Sequence, residues 1–117
     1  MDLETRQKIC QLVAGIVIAD DILDDHEEAF LDRLLHSFGI EAGRDAVLPL
    51  VDRDEAAEQM KALPKDAQTE AMRLLIEAAC ADGQIAPEER DYLRAVGDAI
   101  GMPATELAHE VAEKLGK

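Results

Sequence analysis

The sequence predicts an all-α fold: a single domain of about seven helices built from two pseudo-repeated helix-elbow-helix units. Three observations carry this. Apolar residues recur at three- and four-residue spacing along most of the 117 residues. Ala, Leu, Ile and Val dominate a chain that is 48% hydrophobic, with only Phe30, Phe38 and Tyr92 as aromatics, a composition suited to helix packing rather than to a β-sandwich. A pattern that sets an Asp seven residues before a Glu, around an aliphatic, occurs twice, 62 residues apart, between apolar runs.

The elements follow in order. Ile9, Leu12, Val13, Ile16 and Val17 share one face of a first helix ending near Asp20. Beyond the first elbow, Ala29, Phe30, Leu34, Leu35 and Phe38 repeat that face until Gly39, where a helix would cap and Ile40 fold back over its end. Ala46, Val47, Leu50 and Val51 suggest a short helix interrupted by Pro49, and Asp52 or Asp54 would cap the next, carrying Ala56, Ala57, Met60 and Leu63. Pro64 suits the first turn of a long helix bearing Ala71, Met72, Leu75, Ile76, Ala79 and Cys80. After the second elbow come Tyr92, Leu93, Val96 and Ile100, then Gly101 as a stop. Pro103 opens a last helix with Leu107, Val111 and Leu115.

Residues 12–40 laid on residues 74–102 without a gap pair Leu12 with Leu74, Ala19 with Ala81, Asp20 with Asp82, Glu27 with Glu89, Leu31 with Leu93 and Gly39 with Gly101. Non-identical pairs keep their character: Leu23 with Ile85, Phe30 with Tyr92, Leu34 with Val96, Phe38 with Ile100. Each half is therefore expected to be one unit of a pair related by a pseudo-twofold axis.

Subtracting 26 acidic from 12 basic residues leaves a charge of −14. Such a field repels phosphate backbones and anionic lipid, so neither nucleic acid nor a membrane is an expected partner; cations and basic protein surfaces are. Cys10 and Cys80 lie in apolar runs without a CxxC companion, which points to buried free thiols. No cleavable leader or bilayer-spanning run is evident, so a cytoplasmic bacterial protein is expected.

The elbows bear two kinds of carboxylate. Gly83, Ile85, Pro87 and Glu89 have the residue types of a helix stop followed by a capped helix start, and Asp24 with Glu27 forms the corresponding Asp-x-x-Glu box, so capping accounts for both glutamates and Asp24. Asp20 and Asp82 are different. At the end of a helix a carboxylate meets the negative end of the macrodipole, and a bound cation or the free amides of the next helix would offset that cost. The string from Asp82 to Glu89 also copies the second half of an EF-hand loop, but Cys80 and Ala78 stand where the first oxygen ligands belong. A site shared between two half-loops remains open, and oxygen ligands would favour Ca²⁺, Mg²⁺ or Mn²⁺ over Zn²⁺.

The Ala-Asp-Gly-x-Ile-x-x-x-Glu signature of residues 81–89, preceded by Leu74-Leu75-Ile76-Glu77-Ala78-Ala79, resembles the tellurite-resistance protein TerB family. The resemblance implies an all-helical domain spanning residues 1–117, metal held by acidic elbows, and a place in bacterial stress responses. Carried over residue by residue, it marks Asp20, Glu27, Asp82 and Glu89 as metal ligands, with Asp24 secondary. The first elbow departs from the signature, with Asp21 where Gly is expected. Related domains occur in membrane-anchored DnaJ-like co-chaperones, whose anchor and His-Pro-Asp motif are not seen in this sequence.

No phosphate loop, nucleophile elbow or zinc-hydrolase helix is present, and His26, His36 and His109 lack ligand spacing. The chain therefore reads as a non-enzymatic, metal-binding domain. The alternatives are an adaptor or co-chaperone-like scaffold that docks a basic partner without metal, and a metal-dependent hydrolase, which would need an open cleft beside the elbows.

Overall fold

The 62-residue repeat is reproduced by the backbone. The computed structural model describes residues 2–18, 25–40, 50–81 and 83–116. Among them six helices follow one another: α1 (Leu3–Val17), α2 (Asp25–Ser37), α3 (Arg53–Ala62), α4 (Lys65–Ala79), α5 (Pro87–Ala99) and α6 (Ala104–Lys114). A shift of 62 carries both bounds of α1 onto those of α4, and both bounds of α2 onto those of α5. The protein is all-helical, as the periodicity predicts. The short helix expected over 46–51 falls mostly outside the described residues, and Leu50 to Asp52 are not helical.

Each repeat closes alike. Gly39 has φ 73° and Gly101 φ 78°. Gly39 N–H donates to His36 O and Ile40 N–H to Leu35 O; Gly101 N–H donates to Asp98 O and Met102 N–H to Gly97 O. This double closure needs a left-handed residue at its centre, which glycine adopts without a Cβ penalty. Ile40 is buried against the end it covers.

Helix starts depend on short side chains. Asp2 caps α1 by accepting Thr5 N–H at 2.8 Å, and Asp52 rather than Asp54 caps α3, accepting Glu55 N–H at 2.9 Å. Pro64 and Pro103 sit one position before the first turns of α4 and α6, whereas Pro87 is the first residue of α5. Arg6 Nη1 donates to Phe38 O at 2.7 Å, tying the start of α1 to the end of α2. Its repeat counterpart Gln68 donates to Met60 O at 3.1 Å, closing α3.

α1 and α4 form the centre: α1 is in contact with α2, α3, α4 and α5, and α4 with all five other helices. Ile9, Leu12, Val13, Ile16 and Val17 are fully enclosed, and so are Ala71, Leu75, Ala78 and Ala79 of α4. Each large aliphatic so buried contributes about 1.5–3 kcal/mol. Cys10 is fully buried, and burial pushes its thiol up to about 12. Cys80, expected to be buried, is only half-covered because it is the residue that caps α4.

α5 locks onto α1 through Tyr92, 2% exposed, whose hydroxyl donates to Leu12 O at 2.8 Å. Gly15 lies beneath it. A Cβ there would stand 2.6 Å from Tyr92 Oη and 2.9 Å from Val51 O. A helical glycine costs about 0.5–1 kcal/mol relative to alanine, and here it admits two close neighbours that alanine would displace. Burial also holds the Tyr92 phenol neutral well above its ordinary range.

Gly15→Ala should therefore destabilise by about 1–3 kcal/mol in urea unfolding despite its better helix propensity. Combined with Tyr92→Phe, the loss should fall short of the sum of the single losses by about 1 kcal/mol. Strict additivity would contradict the contact. Because Cys10 and Tyr92 keep their protons longer folded than unfolded, their contribution is intact below about pH 9 and lost as pH rises towards 12. Unfolding measured across that range should steepen with pH, and less so in Cys10→Ala with Tyr92→Phe.

Candidate functional site

The second elbow starts where α4 stops. Cys80 N–H donates to Ile76 O and Gly83 N–H to Cys80 O at 3.0 Å. Gly83 has φ 84°, with nothing within 4 Å of a Cβ built on it, so backbone conformation rather than space demands glycine. Ile85 packs half-buried against the core. Ala86 N–H then donates to Glu89 Oε1 at 3.0 Å, one of the free amides at the start of α5. Ala86 has no side-chain acceptor to return the bond, so the capping is one-sided.

Glu89 is the third residue of α5 and Glu27 the third of α2. At 3% and 2% exposed, they are the buried charged side chains among the described residues. Burying a carboxylate costs several kcal/mol unless hydrogen bonds and positive potential offset it. The amino end of a helix supplies both. The capping role expected of Glu89 is thus observed, and Glu27 is buried at the matching position of α2.

Asp20, Asp24 and Asp82 lie outside the described residues. The helix ends that precede two of them are described: α1 is capped by Ile18 and α4 by Cys80, each two positions before the aspartate. The helices therefore end sooner than the apolar pattern implies.

Ile18, which leads into the first elbow, and Glu88, which follows the second, line one cleft of about 350 Å³. Asp52, Arg53, Asp91 and Tyr92 line it as well. Arg53 Nη1 stands 3.9 Å from Asp91 Oδ2, an exposed pair worth about 0–1 kcal/mol, and Asp52 is engaged as the α3 cap. That the end of α1 and the start of α5 meet beside α3 was not legible in the sequence, where Asp52 and Asp91 look like ordinary surface acids.

Among the described residues no group of three or more His, Cys, Asp or Glu is placed to hold a metal ion. These donors alone do not fit one. His26 and His36 are exposed, and His109 Nε2 lies 3.2 Å from Glu113 Oε1 on the surface of α6.

Glu89→Ala should cost about 1–3 kcal/mol by leaving a part-buried amide unmet. The loss should be the same with and without added divalent ions, and smaller for Glu89→Gln, which keeps an acceptor oxygen. Urea unfolding of the three proteins checks this; an unchanged midpoint for Glu89→Ala would contradict the capping role.

No helix among the described residues is long and apolar enough to cross a membrane. A family model described as tellurite resistance protein TerB matches residues 40–110. That span holds the second elbow and the helices around it. No curated protein and no solved structure matches the chain. With more than half of its length matched, and with the paired helical units described above, the chain belongs to the TerB family.

Proposed function

We propose that this TerB-family chain is a non-enzymatic domain that binds a divalent cation through its two acidic elbows and serves a bacterial stress response, tellurite resistance being the one its family is named for. The cation is Ca²⁺ or Mg²⁺, as suits oxygen ligands, and the setting is the cytoplasm. The observation that supports this reading is that the C-cap of α1, which leads into the first elbow, and the first turn of α5, which follows the second, border the same cleft, through Ile18 and Glu88. Glu27 and Glu89, buried at the helix starts, hold the turns in shape. Asp20 and Asp82, not needed as caps, are the ligands proper, with Asp24 as a secondary one. Bringing several carboxylates together raises their mutual repulsion, which a divalent ion relieves.

A melting series with EDTA, Ca²⁺, Mg²⁺, Mn²⁺ and Zn²⁺ tests the proposal. Ligand at about one hundred times its dissociation constant stabilises by roughly 2.7 kcal/mol, which should raise Tm by several degrees. Asp20→Ala combined with Asp82→Ala should abolish the rise. No rise with any ion, or one that survives the double substitution, would reject metal binding at the elbows.

A further inference from the structure

A second cavity is lined by residues of α4, α6 and the turn between α5 and α6. A groove of about 730 Å³ runs between α4 and α6, floored by Met72, Ile76, Ile100 and Met102. Glu106, Glu110 and Glu113, at the spacing that aligns side chains along one helix edge, form its α6 rim. Arg73 and Lys114 also line it, but both are already compensated. Arg73 pairs with Glu70, and its Nη1 lies 2.8 Å from Glu77 Oε1; Lys114 Nζ lies 3.1 Å from the same oxygen. Glu113 meets only His109, and Glu106 and Glu110 meet no cation among the described residues.

The repeat supplies an internal comparison. Counting back 62 residues, Met72 and Ile76 become Cys10 and Ala14, both fully enclosed. Glu113 becomes Val51, 5% exposed, whose carbonyl lies close over Gly15. Met72 and Ile76 are nearly as enclosed, at 4% each, so the difference lies at the edge: where the first unit places Val51, the second places Glu113, beside the half-covered Ile100 and Met102.

We propose that the groove between α4 and α6 docks a basic amphipathic helix of a partner protein. An apolar stripe on that helix would cover the methionine and isoleucine floor, and lysines or arginines along its flank would face Glu106 and Glu110. Methionine side chains adapt readily to such an occupant. A second copy of this chain does not suit the rim, since its net charge is −14. The inference is independent of metal binding at the elbows.

The test is an NMR titration of the full chain, without metal, with a synthetic amphipathic Leu/Lys helix of about 14 residues, roughly four turns. A scrambled peptide of the same composition and an analogue with Glu for Lys are the comparisons. Amide shifts should gather at 69–76 and 100–114, for the amphipathic basic peptide alone. Glu106→Lys with Glu110→Lys should weaken binding by about tenfold or more, and Glu4→Lys with Glu58→Lys, an equal charge change elsewhere on the surface, by less than about twofold. No binding, equal binding of the scrambled peptide, shifts spread over the surface, or equal losses from the two double variants would each overturn the proposal.

Discussion

Two buried carboxylates set the geometry on which the rest of this molecule depends. Glu27 and Glu89 lie inside the protein at the third positions of α2 and α5. Charge in such a place must be met by N–H groups, and Glu89 meets Ala86 N–H. The chain can therefore enter α5 only along a path that presents that amide to the carboxylate. Gly83, with its positive φ, and Pro87, as first helical residue, make the path available. Once the entry is set, Tyr92 is carried one turn further in, where its hydroxyl reaches Leu12 O across the interface of the two units.

The two units have diverged in what they do with a shared plan. Arg6 and Gln68 occupy equivalent positions, and each closes a helix end, but not the same one: α2 for Arg6, α3 for Gln68. Phe30 is only part-buried, whereas its counterpart Tyr92 is enclosed and hydrogen-bonded to α1. Cys10 and Ala14 are small because α1 is surrounded, while Met72 and Ile76 fill a wider space beside α6. Each unit supplies one of the two central helices, α1 and α4, and the second also borders the groove beside α6.

Much of this could be read from residues alone because helical periodicity and the repeat are local signals. Ile9, Leu12, Val13, Ile16 and Val17 announce a buried face, and Gly39 with Gly101 marks two helix ends. Other features depend on partners distant in sequence. Gly15 looks like a weak point in a helix until Tyr92, 77 positions later, is found pressed against it. The half-exposure of Cys80 follows from a helix that stops before its apolar run does. In the candidate site Glu89 was legible as a cap, but the cleft that joins Ile18 to Glu88 arises only from packing. Asp20, Asp24 and Asp82 lie outside the described residues, and their part in the account rests on the repeat.

The division of labour follows from the chemistry of each carboxylate. A glutamate engaged with helix amides loses much of its appeal as a metal ligand, while an aspartate beyond a helix cap retains it. Anomalous diffraction from crystals grown with Mn²⁺ tests that division most directly. The account expects a metal peak within coordinating distance of Asp20 and Asp82 carboxylate oxygens. A peak elsewhere on the acidic surface, or none at saturating Mn²⁺, would contradict it.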